Sequence, residues 1–267
     1  MKKALLFAKR NFTEMTRDPL LYIFCVGFPV AMILMFQLII NYTNGETPVF
    51  YVKSLIPGVM MFSYSLLMLM SALLVSKDKT TSFLKRLFTS PLKPVEFIIG
   101  YFIPFFVIGL CQSIICVILG FIFGSVSGKG FCGVGSSLLL IVTMSPMMII
   151  NIMLGMLFGT LLNDKSAPAI TSIFISASGV IGGAWMPVDA MGNFEKVCGF
   201  LPFYSSVCLG RMVTGATHTI PDSLGNEVLY SFSDNGVQSI IVIAIFLVVT
   251  TVLSIINFNK TMHSDLN

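Results

Sequence analysis

Charge is what this chain has least of. Lys and Arg number 16 and Asp and Glu 12 among 267 residues, so charged residues make up 10%, against roughly 25% in an average soluble domain. A soluble globule of this size could not cover its surface with so few polar side chains. Disorder is excluded by the same composition, because it needs high charge and low hydrophobicity, whereas 55% of this chain is hydrophobic. Six cysteines in 267 residues are too sparse for a disulfide scaffold. The two histidines, His218 and His263, lie far apart, and there is no HExxH, no CxxC and no carboxylate pair inside an apolar run. A metal site or intramembrane metalloprotease therefore has no support. A serine intramembrane protease would want Gly-x-Ser-Gly, but Ser176-Ala177-Ser178-Gly179 puts serine where the first glycine belongs.

An ATP site is also missing. The nearest thing to a phosphate loop runs from Gly124 through Gly128 and Lys129 to Gly130; its glycines are too close, and Gly130 replaces the hydroxyl that would bind magnesium. Ion-driven carriers usually place Asp, Glu or Arg at mid-membrane. Here the polar residues expected there are Gln37, Gln112 and Asn151, none of them ionisable. The chain carries neither an ATP engine nor an ion-coupled one.

Long apolar runs are what it does have, with a mean hydropathy of +0.91. Six stretches qualify by the ~20 residues that a helix needs to cross a bilayer, predicting six transmembrane helices: about 20–40, 55–76, 97–124, 134–162, 168–186 and 238–257. They are continuous rather than alternating, so the expected fold is an all-α integral membrane protein, a single transmembrane domain over 1–267. With both termini cytoplasmic, twelve of the sixteen basic residues fall inside, leaving only Lys53, Lys129, Lys196 and Arg211 outside. Net charge +4 then reports topology and not nucleic-acid binding. Only Ala4 to Ala8 separates Lys3 from Lys9, too short for the apolar region of a cleavable signal.

Two cytoplasmic segments are amphipathic. Residues 2–18 place Leu5, Ala8, Phe12 and Met15 on one helical face and Lys3, Arg10, Glu14 and Arg17 on the other, predicting an interfacial helix that either anchors topology or meets a partner. Between spans two and three, Thr80 to Ser82 offer N-cap hydroxyls. Phe83, Leu84, Leu87 and Phe88 then share one arc, Lys85 and Arg86 sit opposite, and Pro91 and Pro94 stop the helix. That face either dips among headgroups or fills a groove in another protein. Span five is small and mildly polar, with Ser172, Ser176, Ser178 and Gly179, which suits a helix partner or an aqueous path better than lipid. Gly155 and Gly159, like Gly120 and Gly124, permit close helix approach. Between spans five and six, Phe200 to Tyr204 is too short to cross and predicts a re-entrant outer helix. Asp189, Glu195 and Arg211 are read there as surface residues, and Cys198 and Cys208 as either bridged or free.

Together these residues resemble the transmembrane subunit of an ABC-2-type exporter, of the bacterial drug-resistance and polysaccharide-export kind. The resemblance rests on the amphipathic start, the run from Phe83 to Leu92, Glu96, Gly100 to Pro104, and Ser178-Gly179, Pro187, Leu201-Pro202 and Arg211 in that order. Where the family usually has an acidic residue before the arginine of the inner loop, this chain has Lys85. The resemblance implies no cofactor on this chain, with ATP and magnesium on a separate cytoplasmic ATPase. It implies a second permease chain, identical or sibling, among membrane lipids in a bacterial plasma membrane. Phe83, Leu84, Lys85, Arg86, Leu87 and Phe88 would form the coupling helix, and Lys9, Arg10 and Arg17 would contact the same ATPase. The substrate path would run between the permeases along spans two and five, with Phe62, Tyr64, Ser172 and Ser176 as its lining. The substrate would be an amphipathic drug-like, antibiotic or lipid molecule, or alternatively a lipid-linked polysaccharide. A membrane sensor or scaffold for envelope-active peptides is the reading from another class.

Overall fold

The computed structural model describes residues 2–42, 48–80, 94–128, 130–219 and 227–264. Among these residues five helices are long and apolar enough to cross a membrane. Helix α1, Lys2–Met15, precedes the first of them, α2, Pro19–Tyr42. Asp18 caps α2 by accepting from the Leu20 N–H at 2.9 Å, and Pro19 takes the first helical position, where its missing N–H costs nothing. Residues Ile23–Gly27 of α2 form a π-turn just ahead of Pro29. A proline ring clashes with the carbonyl four residues back, and the widened turn gives it room.

Helix α3, Val52–Thr80, is the hub: 83% of its most apolar stretch is buried, against 28% for α2 and for the last helix, α9, Phe232–Ser264. Helices α4, Pro94–Val126, and α5, Val134–Leu161, flank it. Glycine explains how closely α5 approaches. A Cβ on Gly155 would run into Ser71 Oγ and the Met68 carbonyl of α3, and one on Gly159 would lie 2.8 Å from the Ala72 carbonyl. The small residues read in the sequence thus join helices within the chain, and Ser71 Oγ donates to the Met68 carbonyl at 3.0 Å beside them.

The fifth expected span is a shorter helix than the other five. Helix α6 covers Ala167–Ile181 only, 15 residues, or about 22 Å at 1.5 Å per residue, short of the ~30 Å core. It ends because Gly182 caps it and Gly183 turns the chain with φ +62°. A 3₁₀ turn at Val188–Ala190, helix α7, Asn193–Cys198, and helix α8, Pro202–Thr214, follow. The segment expected to re-enter is therefore the 13-residue α8, sheathed by α3, α5 and α9. A two-stranded antiparallel ribbon, Thr217–Thr219 with Glu227–Leu229, is added to the all-α expectation, its register pairing His218 with Val228. Cys198 and Cys208 are both buried and both free, so no bridge joins them.

Candidate functional site

Two clusters of charged and phenolic groups sit at opposite ends of α3. Ser54 and Asp78, which mark them, are separated by about 36 Å of helix.

The first cluster fastens α1. Of the apolar face read for α1, Ala8 and Met15 are buried but Leu5 and Phe12 are exposed; Ala4, Phe7 and Asn11 complete the buried side. Phe7 decides this. Its ring sits edge-on to Tyr101 and Phe97, with centroids 5.0 and 5.9 Å away, in a seat that exists only because Gly100 lacks a side chain. Asn11 is fully buried there and donates its amide to the Gly100 carbonyl at 3.2 Å. Below it, Asp78, 3% exposed, accepts from the Tyr101 hydroxyl at 2.7 Å and from Arg10 Nη1 at 3.5 Å. Arg10 Nη2 also pairs with Glu14 at 2.7 Å, and Lys77 Nζ stands 3.8 Å from Glu14. Lys79 Nζ caps the end of α5 through the Thr160 carbonyl at 2.6 Å. Helices α1, α3, α4 and α5 are thereby tied together where α3 runs into the segment after Thr80. Thr80 itself closes α3, its hydroxyl donating to the Lys77 carbonyl at 3.0 Å.

The expected site residues divide clearly. Phe83, Leu84, Lys85, Arg86, Leu87 and Phe88 lie outside the described residues. Lys9 and Arg17 are exposed, but Arg10 is half-buried and engaged with Asp78 and Glu14. Ser172 and Ser176 are exposed on α6, each hydroxyl bonded back to its own helix at 2.8 and 3.0 Å. Tyr64 does not reach a surface: it is fully buried, its hydroxyl 2.6 Å from Ser113 Oγ of α4. Phe62 is buried too, edge-on to Trp185 at 4.8 Å and against Phe28 at 5.4 Å. Both aromatic residues pack helices of this chain against one another.

The second cluster overturns the surface reading of Arg211 and Asp189. Arg211 is fully buried and Asp189 8% exposed. A buried guanidinium is costly unless its donors are met. Here Nη2 donates to the Gly183 carbonyl at 2.6 Å, Nε to the Ser54 carbonyl at 3.3 Å, and Nη1 to the Tyr230 hydroxyl at 3.1 Å and Asp189 at 3.5 Å. Asp189 in turn accepts from Tyr204 at 2.6 Å and from Tyr230. Burial and the neighbouring Asp189 charge hold the Tyr204 phenol well above its ordinary value, so it stays a neutral donor. Arg211 is likewise pushed up: burial opposes its charge, but its hydrogen bond to Tyr230 and the neighbouring Asp189 carboxylate outweigh burial. Burial, then Asp189, raises the Glu195 carboxyl, which lies at the edge of the group and accepts from Tyr204 at 3.2 Å. Sequence reasoning missed the cluster, although Tyr204, Cys208 and Arg211 fall on one face of α8 at helical spacing.

A family model described as "ABC-2 family transporter protein" matches residues 36–256, most of the chain. The chain belongs to that family. It is an ABC-2 permease, a multi-pass transmembrane component of an ABC transporter, and membership implies an ABC ATPase as its partner. No curated protein matches the permease. The matched range holds the Arg211 cluster whole, whereas α1, with Arg10 and Glu14, lies before it.

Proposed function

We propose that the permease is the membrane half of an ATP-driven exporter of an amphipathic drug-like, antibiotic or lipid molecule, working as a pair with a second permease chain. The observation that carries this reading is the fastening of α1 to α3 and α4 where α3 leads into residues 83–88. A cytoplasmic ATPase that gripped the apolar face of Phe83, Leu84, Leu87 and Phe88 would pull on α3 and α1 together. Exposed Lys9 and Arg17 would offer charge to the same partner, while Arg10 would transmit force inside the chain. Helix α3 is nearly all buried, so a displacement at Asp78 reaches the Arg211 cluster through a stiff element rather than a loop.

In this reading both termini are cytoplasmic, in a bacterial plasma membrane. The path lies between two permeases along α6, where Ser172 and Ser176 face outward from the protomer. The permease then needs no ATP site of its own; ATP and magnesium belong to the partner. The test is co-purification. Wild-type permease expressed with its ATPase should elute as one complex, and Phe83→Asp with Leu87→Asp should release the ATPase while leaving the permease monodisperse. Retention of the ATPase by that double variant would refute the assigned contact.

A further inference from the structure

A cavity of about 540 Å³ opens at the elbow between α1 and α2, next to the fastening of α1, with which it shares Glu14 and Lys77. Its wall is apolar: Leu21 of α2, Met70, Leu73 and Leu74 of α3, and Phe105 of α4. Its rim is charged with both signs: Glu14, Asp18 and Asp164 carry carboxylates, and Arg17 and Lys77 carry cations. The volume falls in the range that encloses a small ligand. The level is that of the membrane surface, because charged α1 and the Arg17–Asp18 step give way there to the apolar α2.

We infer that this cavity binds the headgroup and upper acyl chains of a zwitterionic amine phospholipid such as phosphatidylethanolamine. An apolar wall under a charged rim is what an amphiphile requires. Both signs on the rim match a phosphate beside an ammonium, and an anionic lipid would leave the carboxylates facing its own charge. Among the described residues Asp164 accepts a 3.4 Å bond from Ser76 Oγ, and a carboxylate can accept several more. One oxygen of Asp18 caps Leu20, and the other remains for a ligand. Arg17 and Lys77 stand across the rim for the phosphate. A primary ammonium can donate to both aspartates, whereas the methylated ammonium of phosphatidylcholine cannot. Lipid bound there would brace the elbow between α1 and the first span.

The inference stands apart from the transport reading, because binding is measured on the permease alone. Purified permease is titrated with short-chain phosphatidylethanolamine, phosphatidylcholine and phosphatidylglycerol and read by native mass spectrometry. Phosphatidylethanolamine should bind about fivefold more tightly than phosphatidylcholine and about tenfold more tightly than phosphatidylglycerol, the margin of one or two charge-assisted hydrogen bonds at a partly solvated site. Asp18→Asn with Asp164→Asn keeps shape and helix cap and should shrink that preference to about twofold or less. Leu74→Trp should fill the cavity and abolish retention of all three lipids. Equal binding of the three lipids by wild-type permease would overturn the inference, as would a preference for phosphatidylglycerol. Survival of the preference in the double aspartate variant would overturn it equally.

Discussion

Arg211→Met is the sharpest perturbation of the fold. It deletes the donors that reach Ser54, Gly183, Tyr230 and Asp189, and leaves Asp189 buried without its cation. Removing one partner of a buried ion pair costs about 3–5 kcal/mol. Asp189 keeps the Tyr204 and Tyr230 hydroxyls, which places the loss at the low end, about 3 kcal/mol. Arg211→Lys retains the charge but not the planar fork, and should lose about 1–2 kcal/mol. The chain supplies its own reporter, since the single tryptophan, Trp185, follows closely on the Gly183 turn that Arg211 holds. Unfolding in mixed micelles, followed by Trp185 fluorescence, should rank wild type above Arg211→Lys above Arg211→Met. A cycle with Asp189→Asn should return a coupling of about 1.5–3 kcal/mol. The cluster would not be a fastening if Arg211→Met unfolded within about 0.5 kcal/mol of wild type, the spread of an ordinary surface change.

Three further outcomes follow from named contacts. Gly58→Ala would put a Cβ 2.6 Å from the Ala184 carbonyl and should cost about 1–3 kcal/mol in the same assay, whereas Gly135→Ala meets nothing within 4 Å and should be neutral or slightly stabilising. Gly100→Leu should evict Phe7 and free α1, read as faster tryptic cleavage at Lys9 and Arg10; unchanged cleavage would contradict the seat described for Phe7. Glu195 has a folded-state pKa raised above its ordinary 4.5, so the native state holds that proton more tightly than the unfolded chain does. Its contribution to stability is present below 4.5 and is lost as pH rises through the raised folded value. Glu195→Gln should flatten that part of the stability profile, and an unaltered slope would reject the assignment.

Length and apolar composition alone define a span, which is why five long helices and the family were legible in the sequence. The short fifth helix shows the limit of that signal. Hydropathy averaged over 168–186 is blind to the Gly183 turn that ends α6 after 15 residues. Helix α1 fails differently, because Phe7 and Phe12 both offer an apolar face, and only the missing side chain of Gly100, on another helix, chooses between them. Arg211 reads as an isolated outer charge until Asp189, Tyr230 and Ser54 are brought to it from distant parts of the chain. Asp78 is the same case, since its partners Arg10 and Tyr101 come from helices on either side of α3 in the sequence. Composition shows that charge is scarce; only folding shows that part of it is spent on two internal joints.

In the proposed function those joints make α3 a lever between the partner ATPase and the substrate path. That claim is tested most directly by reconstituting the permease with its ATPase in inside-out vesicles and following a fluorescent amphiphile. ATP-dependent uptake in the wild-type complex, abolished by Phe83→Asp with Leu87→Asp and reduced at least about tenfold by Asp78→Ala, which breaks the joint between α1 and α3, is the expected result. Equal uptake with and without ATP, or full uptake by both variants, would contradict it.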